Sequence, residues 1–399
     1  MVFIAFLCGN CAVGIMYGSF GQMLSNTEQH FATSRAVASL GVSIFSLTTG
    51  LSAPVIGHFV ERFSLRKVLM TGVVFSTLGY VGLAIAPSIA ITIAMFAFIG
   101  FGCALLAQVP IVTLIGRWFI ASRGKAMALA MLPISMLAVP YLIAELLPAY
   151  GRSITYLVLG SIFGALLPFL VHVVDRPEQV GQHPLGFDQI KKERSKDPVS
   201  GSRRSLSTKE ILSNPSFWLL CLAVAVMLDS GTIFVVHIVP FGATRHLSLQ
   251  QTALLLSVYS AAGVLGTALF GWLADRVGSY IALLVNAVSQ ALLWWVAVHV
   301  TGHALFVVAT FMGICCIPVL ALNGTALTDV FGVENIGKAV GYNYAFRLPF
   351  LFVAAPAIGY LYDRTGGYSV PFIALSIMVA ASSLMLGILI LRQRRQELA

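Results

Sequence analysis

Two ionisable residues of opposite charge stand in stretches otherwise fit only for hydrocarbon. Arg347 lies in Lys338-Ala-Val-Gly-Tyr-Asn-Tyr-Ala-Phe-Arg347-Leu-Pro-Phe-Leu-Phe-Val-Ala-Ala-Pro-Ala-Ile-Gly-Tyr360, and Asp229 in Met227-Leu-Asp229-Ser-Gly231. A helix starting near Lys338 carries Arg347 about 14 Å deep, close to the middle of a hydrocarbon core about 30 Å thick. A helix starting between Asn214 and Phe217 takes Asp229 about 21 Å in, somewhat past the midplane. At that depth neither side chain reaches the interface, so each faces a partner, a cavity or a ligand. A guanidinium is a rigid fork matched to two carboxylate oxygens, and the low dielectric strengthens that pairing. One buried cation therefore suits one carboxylate, and a small organic monoanion is the ligand class the residue types favour.

Three readings of Asp229 stay open. It pairs with Arg347 in the empty protein, and a proton on it releases Arg347 to the ligand. Alternatively it forms a permanent structural ion pair, or it is unrelated to Arg347. His237, eight residues further along the same helix and only about 80° round it, is a candidate second proton-coupling residue, though a lone buried histidine is more often satisfied locally. Gln108, Tyr259, Asn323, Asn343 and Tyr344 can each donate to a bound anion, and polar side chains equally join helices inside membranes. Tyr17, in Gly14-Ile-Met-Tyr17-Gly-Ser-Phe-Gly21, is either a site aromatic or packing among small residues.

The elements that must position these groups are membrane helices. Of 399 residues 58% are hydrophobic and only 10% charged, against about 25% charged in soluble proteins. Hydropathy predicts about twelve spans, near 2–22, 36–58, 67–86, 89–114, 124–148, 153–174, 215–240, 249–272, 279–298, 303–326, 338–360 and 369–391. The fold class expected is all-α integral membrane, twelve helices in two six-helix pseudo-symmetric halves. The halves are 1–174 and 214–399, the latter with a short cytoplasmic tail. Between them 175–213 is polar, basic and rich in Pro, Gly and Ser, a cytoplasmic linker.

The net charge of +9 does not point to nucleic acid, because its placement follows the spans. Alternate loops hold nearly all the cations, among them Arg62, Arg66, Arg117, Arg276 and Arg392. The opposite loops hold only Arg35, Arg152, Arg245 and Arg364. The positive-inside rule then puts both termini in the cytoplasm of a multi-pass plasma (cell inner) membrane protein. The six cysteines fall within spans with no metal-ligand spacing and read as small apolar residues. No metal, cofactor or nucleophile motif stands out, which argues against an enzyme. The first span opens directly after Met1, and a reading frame running upstream of it would place the true start elsewhere.

A motif repeats along the chain. Gly57-His-Phe-Val-Glu61-Arg62 follows the second span and Gly271-Trp-Leu-Ala-Asp275-Arg276 the eighth, both at cytoplasmic ends. A third copy, Gly359-Tyr-Leu-Tyr-Asp363-Arg364, ends the eleventh span on the opposite side, as inverted repeats require. The glycine permits close helix contact, while the acid can sit against a neighbouring helix N-terminus. Gly57, Glu61, Arg62, Gly271, Asp275 and Arg276 are thus expected to act as conformational latches.

This layout resembles the major facilitator superfamily. Within it, Gly116-Arg-Trp-Phe119 with Arg123-Gly-Lys-Ala126, Asn214-Pro-Ser-Phe-Trp218 and Thr328-Asp-Val-Phe-Gly332 resemble the oxalate:formate antiporter and monocarboxylate transporter family. The resemblance covers essentially the whole chain. It implies that Arg347 matches the basic residue of the eleventh span that binds substrate carboxylate, that Tyr17 matches a site tyrosine, and that a monomer suffices. Departures are equally specific. Thr267 stands where the oxalate transporter has a second cation, the Asp-x-x-x-Arg pair of the animal relatives is also absent there, and Gln108, Ile134 and Leu320 replace site aromatics, so a small dianion such as oxalate is not expected. The function expected is secondary active transport of a small organic anion, a monocarboxylate first, by alternating access with proton symport. Anion exchange and drug or metabolite efflux with a structural Arg347 remain open, as does, remotely, a solute receptor signalling through the linker.

Overall fold

The computed structural model describes residues 1–119, 126, 129–130, 134–183, 185, 206–331 and 335–397; the side chains of Pro54, Glu61, Gln108, 336–338 and 394–397 are outside that set. The described chain is built of long helices: α1 Val2–Phe31, α2 Arg35–Arg62, α3 Leu65–Ile85 and α4 Ile89–Trp118 come first. The helical stretch Ile134–Gly164 breaks at Gly151, whose φ of 75° no helix accommodates, giving α5 (134–150) and α6 (151–170). The remainder are α7 Pro215–Thr244, α8 Leu249–Val277, α9 Ser279–His299, α10 Ala304–Phe331, α11 Ile336–Thr365 and α12 Ser369–Glu397. Among the described residues eleven stretches are long and apolar enough to cross a membrane, and the break at Gly151 divides one of them, which agrees with the twelve spans expected. Leu51, Ile85, Leu265 and Leu384 are 61%, 75%, 70% and 71% exposed, the outward apolar surface that lipid requires.

Local chemistry sets the boundaries. Ser64 and Ser88 accept from the backbone N–H three residues on and start α3 and α4. Asn214 caps α7 with Pro215 behind it, and Ser248 forms a reciprocal capping box with Gln251 at α8. Carboxylates from elsewhere in the chain close three helix starts, that of α3 among them. Asp175 accepts from Leu65 N–H at the start of α3 (2.9 Å), Asp329 takes the Ser279 hydroxyl at the start of α9, and Asp363 takes the first amides of α2. Each puts negative charge at the positive end of a helix dipole.

By packing, the chain forms two compact units, Met1–Phe20 with Ile44–Ser202, and Gly21–Ser43 with Arg203–Ala399. Gly21–Ser43, the far end of α1 with the start of α2, thus groups with the second half of the sequence. Most of the expected linker, 186–205, lies outside the described residues; its end forms a short helix, Thr208–Leu212, capped by Ser207 and Glu210. In the first unit α1 carries a π-helical turn, Asn10–Ile15, and Asn10 Oδ1 accepts from Ser135 N–H at 2.8 Å, holding the start of α5. In the second unit α8 and α10 approach so closely that a Cβ on Gly266 or Gly313 would collide with the backbone of Ile314 or Tyr259.

Candidate functional site

Within the second unit α7 and α11 bring Asp229 and Arg347 together across 118 residues of sequence. Arg347 Nε donates to Asp229 Oδ1 at 2.9 Å and Nη2 approaches the same oxygen at 2.7 Å. Asp229 Oδ2 is buried and has no hydrogen-bond partner among the described residues. The two side chains are 6% and 11% exposed. One edge of the fork is therefore occupied, yet only one of the two carboxylate oxygens is used, and the other keeps its lone pairs for a proton or a donor.

The next residue of α7 is clamped. Ser230 Oγ donates to Gln290 Oε1 (2.6 Å) and accepts from Trp294 Nε1 (3.2 Å), while Gln290 Nε2 donates to Asn286 Oδ1 and Asn286 Nδ2 to the Cys315 carbonyl, both at 2.8 Å. A buried polar network whose members are all bonded fixes one geometry, and this one fixes the turn of α7 that presents Asp229. None of Ser230, Asn286, Gln290 or Trp294 was expected from sequence; the signal was the pair Asn286 and Gln290, one helical turn apart in an apolar span.

Of the expected ligands, Asn343 sits one turn before Arg347 on the same face of α11. It accepts from Asn323 Nδ2 on α10 at 3.1 Å and donates to Cys221 Sγ on α7 at 3.0 Å, leaving Asn323 Oδ1 buried without a partner among the described residues. Tyr344 is half-buried on α11. Tyr259 is buried, stacks on Phe234 at 4.8 Å, and would have its hydroxyl 3.3 Å from a Cβ placed on Gly231. Tyr17 belongs to the first unit, where its hydroxyl is 3.5 Å from Ser46 Oγ and its ring packs edge-on to Phe45. The Gln108 side chain lies outside the described residues.

His237 stands apart from the Asp229 pair. Its Nε2 lies 3.1 Å from the Ala355 carbonyl, which can only accept, so Nε2 carries the hydrogen and Nδ1 accepts from the Tyr368 hydroxyl at 3.2 Å. Tyr368 in turn accepts from Arg35 Nη1 at 3.0 Å. Arg35, expected in a loop, is 8% exposed and held by both oxygens of Glu28 at 2.7 and 2.8 Å. Arg152, also expected in a loop, is 8% exposed, with Nη2 donating to Thr92 Oγ1 and its guanidinium over Tyr156. Cations near span ends commonly keep their charged heads in water; these two instead take protein partners.

At the expected latches, a Cβ on Gly57 or Gly271 would meet nothing within 4 Å among the described residues. Arg62, Asp275 and Arg276 are exposed, Arg276 lying 4.8 Å from the Trp272 ring centre; the Glu61 side chain is outside the described set. The third copy is engaged. A Cβ on Gly359 would fall 2.9 Å from Ala36 backbone atoms, and the Asp363 carboxylate accepts from Arg35 N–H and Ala36 N–H at 3.3 and 3.0 Å. All six cysteines are buried and free, and Thr267 bonds back to its own helix at Gly263.

A family model described as Major Facilitator Superfamily matches residues 6–293 and 226–399. Among similar proteins, an uncharacterised MFS-type transporter, YcxA, of Bacillus subtilis (strain 168) is 25% identical over 358 residues, 85% of this chain and 82% of that one. The oxalate:formate antiporter of Oxalobacter formigenes is 24% identical over 77% of this chain and 74% of its own length, and monocarboxylate transporter 12 of Xenopus laevis is 23% identical over 90% and 82%. Among solved structures, a D-xylose-proton symporter superposes with a TM-score of 0.74 at 15% identity, over 96% of each chain. A bacterial homologue of the human lysosomal transporter Spinster gives 0.73 at 14%, over 96% and 95%.

Proposed function

We propose that this chain, which belongs to the major facilitator superfamily and is a multi-pass membrane transporter rather than an enzyme, carries a small organic monoanion with Arg347 as the carboxylate anchor. The observation that carries the proposal is the buried Arg347–Asp229 pair, in which both guanidinium donors converge on one carboxylate oxygen. Relatives named as an oxalate:formate antiporter and as monocarboxylate transporters support a carboxylate substrate. Arg347 is the cation that Asp229 meets among the described residues, and one cation at that position supports a monoanion over a dianion.

The geometry supports a proton-coupled reading. A substrate carboxylate that docks side-on needs the Nε and Nη2 edge of Arg347, the edge Asp229 now occupies. A proton added at Oδ2 cancels the charge of Asp229 without first breaking either Arg347 hydrogen bond. What remains is a neutral acceptor, weaker than a carboxylate by roughly a factor of two. The incoming anion then displaces it, so one proton and one anion enter the site together. Alternating access by the two six-helix halves, 1–174 and 214–399 about the 175–213 linker, carries both across. Both termini face the cytoplasm, the membrane is the plasma membrane, one chain suffices, and Tyr259, Asn323, Asn343 and Tyr344 complete the substrate surface within the second unit. Anion exchange is the same cycle run without releasing Arg347 empty.

Ligand-dependent thermal stability of the purified protein in detergent tests this reading. Acetate, pyruvate, lactate and longer monocarboxylates should raise the unfolding temperature, since a ligand at 100 times its Kd stabilises by about 2.7 kcal/mol, and Arg347→Gln should abolish the response. Stabilisation by cationic or neutral compounds with none by carboxylates would make Arg347 structural and favour efflux.

A further inference from the structure

The contacts around Gly359 and Asp363 form a clasp that nothing in the Asp229–Arg347 site uses. It joins the far end of α1 and the start of α2 to the ends of α11 and α12, all within the second unit. Four interactions converge. Asp363 Oδ1 and Oδ2 receive the backbone N–H groups of Arg35 and Ala36, so a carboxylate from α11 closes the N-terminus of α2. Gly359 lets the α2 backbone approach until any Cβ would strike Ala36 Cα and N. Glu28 holds the Arg35 guanidinium through two hydrogen bonds. Arg35 then donates to Tyr368, and Tyr368 to His237 on α7, the helix that carries Asp229 eight residues away.

The charges explain why the clasp can both hold and let go. Asp363 gains from the helix dipole and two amide donors, interactions that are lost within one turn of separation. Glu28 and Arg35 sit on the same side of the contact, both within Gly21–Ser43, so their ion pair moves intact with that segment and no lone charge is left buried when it departs. His237 is neutral by its bonding and loses one acceptor interaction only. A contact built this way costs a few hydrogen bonds to open and no buried ion pair.

We propose that this clasp is the lock on the membrane face opposite the termini: the motif copy at Gly359–Asp363 shuts that face by capping α2, and its release frees Gly21–Ser43 and admits solvent beside α11. The proposal rests on alternating access, and its test does not depend on which substrate is carried. Ser39 lies one turn from Arg35 on the same face of α2, is fully buried, and its hydroxyl has no partner among the described residues. Ser39→Cys is therefore a mild reporter, and the six native cysteines are buried. The reporter is treated with a membrane-impermeant maleimide in right-side-out and inverted phosphatidylethanolamine/phosphatidylglycerol vesicles, alone and combined with Asp363→Ala or Gly359→Ala. The first variant removes the cap, and the second leaves every charge in place but wedges α2 away from α11. Labelling should rise about fivefold or more in both, from one face only, the population shift that loss of a helix cap brings. If Asp363→Ala does not fold, Gly359→Ala decides alone. Labelling at the parent rate in the folded variants, or a rise equal from both faces, overturns the proposal.

Discussion

At the scale of single residues, the sequence exposes Arg347 and Asp229 because a charge among hydrocarbon side chains has no neutral explanation, and the structure shows them bonded to each other. What the sequence could not supply is the geometry: two donors on Oδ1 and, among the described residues, none on Oδ2, the oxygen to which the proposal assigns the coupling proton. Removing one partner of a buried pair leaves an uncompensated charge and costs about 3–5 kcal/mol. Arg347→Gln should therefore lower thermal stability in detergent far more than the double variant Asp229→Asn/Arg347→Gln, whose stability should return most of the way; equal losses in single and double variants would show that the pair is not coupled. Symport of one proton with one monoanion moves no net charge. Uptake should thus respond to an imposed pH gradient and not to a potassium diffusion potential, and Asp229→Asn should lose the response to pH while still exchanging anion for anion. His237 was legible as a polar residue but its partners were not, because Tyr368 and the Ala355 carbonyl come from distant segments. Arg35 was unreadable for the same reason: nothing near it in sequence except Glu28 announces a buried network.

At the scale of helices, periodic apolar runs and cap residues predict the elements well, and their ends less so. The expected sixth span begins near 153; the structure breaks the helix at Gly151, two residues earlier, at a positive φ that glycine alone tolerates readily. The clamp on α7 was hidden because serine, asparagine and glutamine scattered through apolar spans read equally as packing or as site. Its closure makes a definite forecast. Ser230→Ala strands the Gln290 carbonyl and the Trp294 indole N–H in the interior, a cost of about 1–3 kcal/mol, and should also shift the apparent substrate affinity through Asp229. Gln290→Glu should cost at least as much, since it buries a charge beside Asn286. A stability change with substrate affinity untouched would show that the clamp braces the bundle without setting the site. The α8–α10 contact behaves differently, since Gly313→Val forces the helices apart at the Tyr259 backbone and should lower folded yield rather than tune affinity.

At the scale of the whole molecule, membership of the superfamily was readable from twelve apolar runs and a thrice-repeated Gly-x-x-x-acid-Arg motif, and the family match covers essentially the whole chain. The motif's three copies are not in one condition. The cytoplasmic-side glycines expected at 57 and 271 face open space among the described residues, whereas Gly359 is in contact, a difference no sequence repeat can carry because all three copies read alike. The orientation read from the Arg and Lys asymmetry predicts that a reporter fused after Ala399 is protected in right-side-out vesicles and accessible in inverted ones; the reverse would turn the whole topology over. The central claim is that Arg347 holds the transported carboxylate. Proteoliposome uptake of labelled acetate, lactate, pyruvate and longer monocarboxylates, for wild type beside Arg347→Gln and with and without an inward proton gradient, tests it most directly. Saturable, gradient-driven uptake in the wild type that disappears in the variant is the result predicted; transport by a folded Arg347→Gln at the wild-type rate would contradict it.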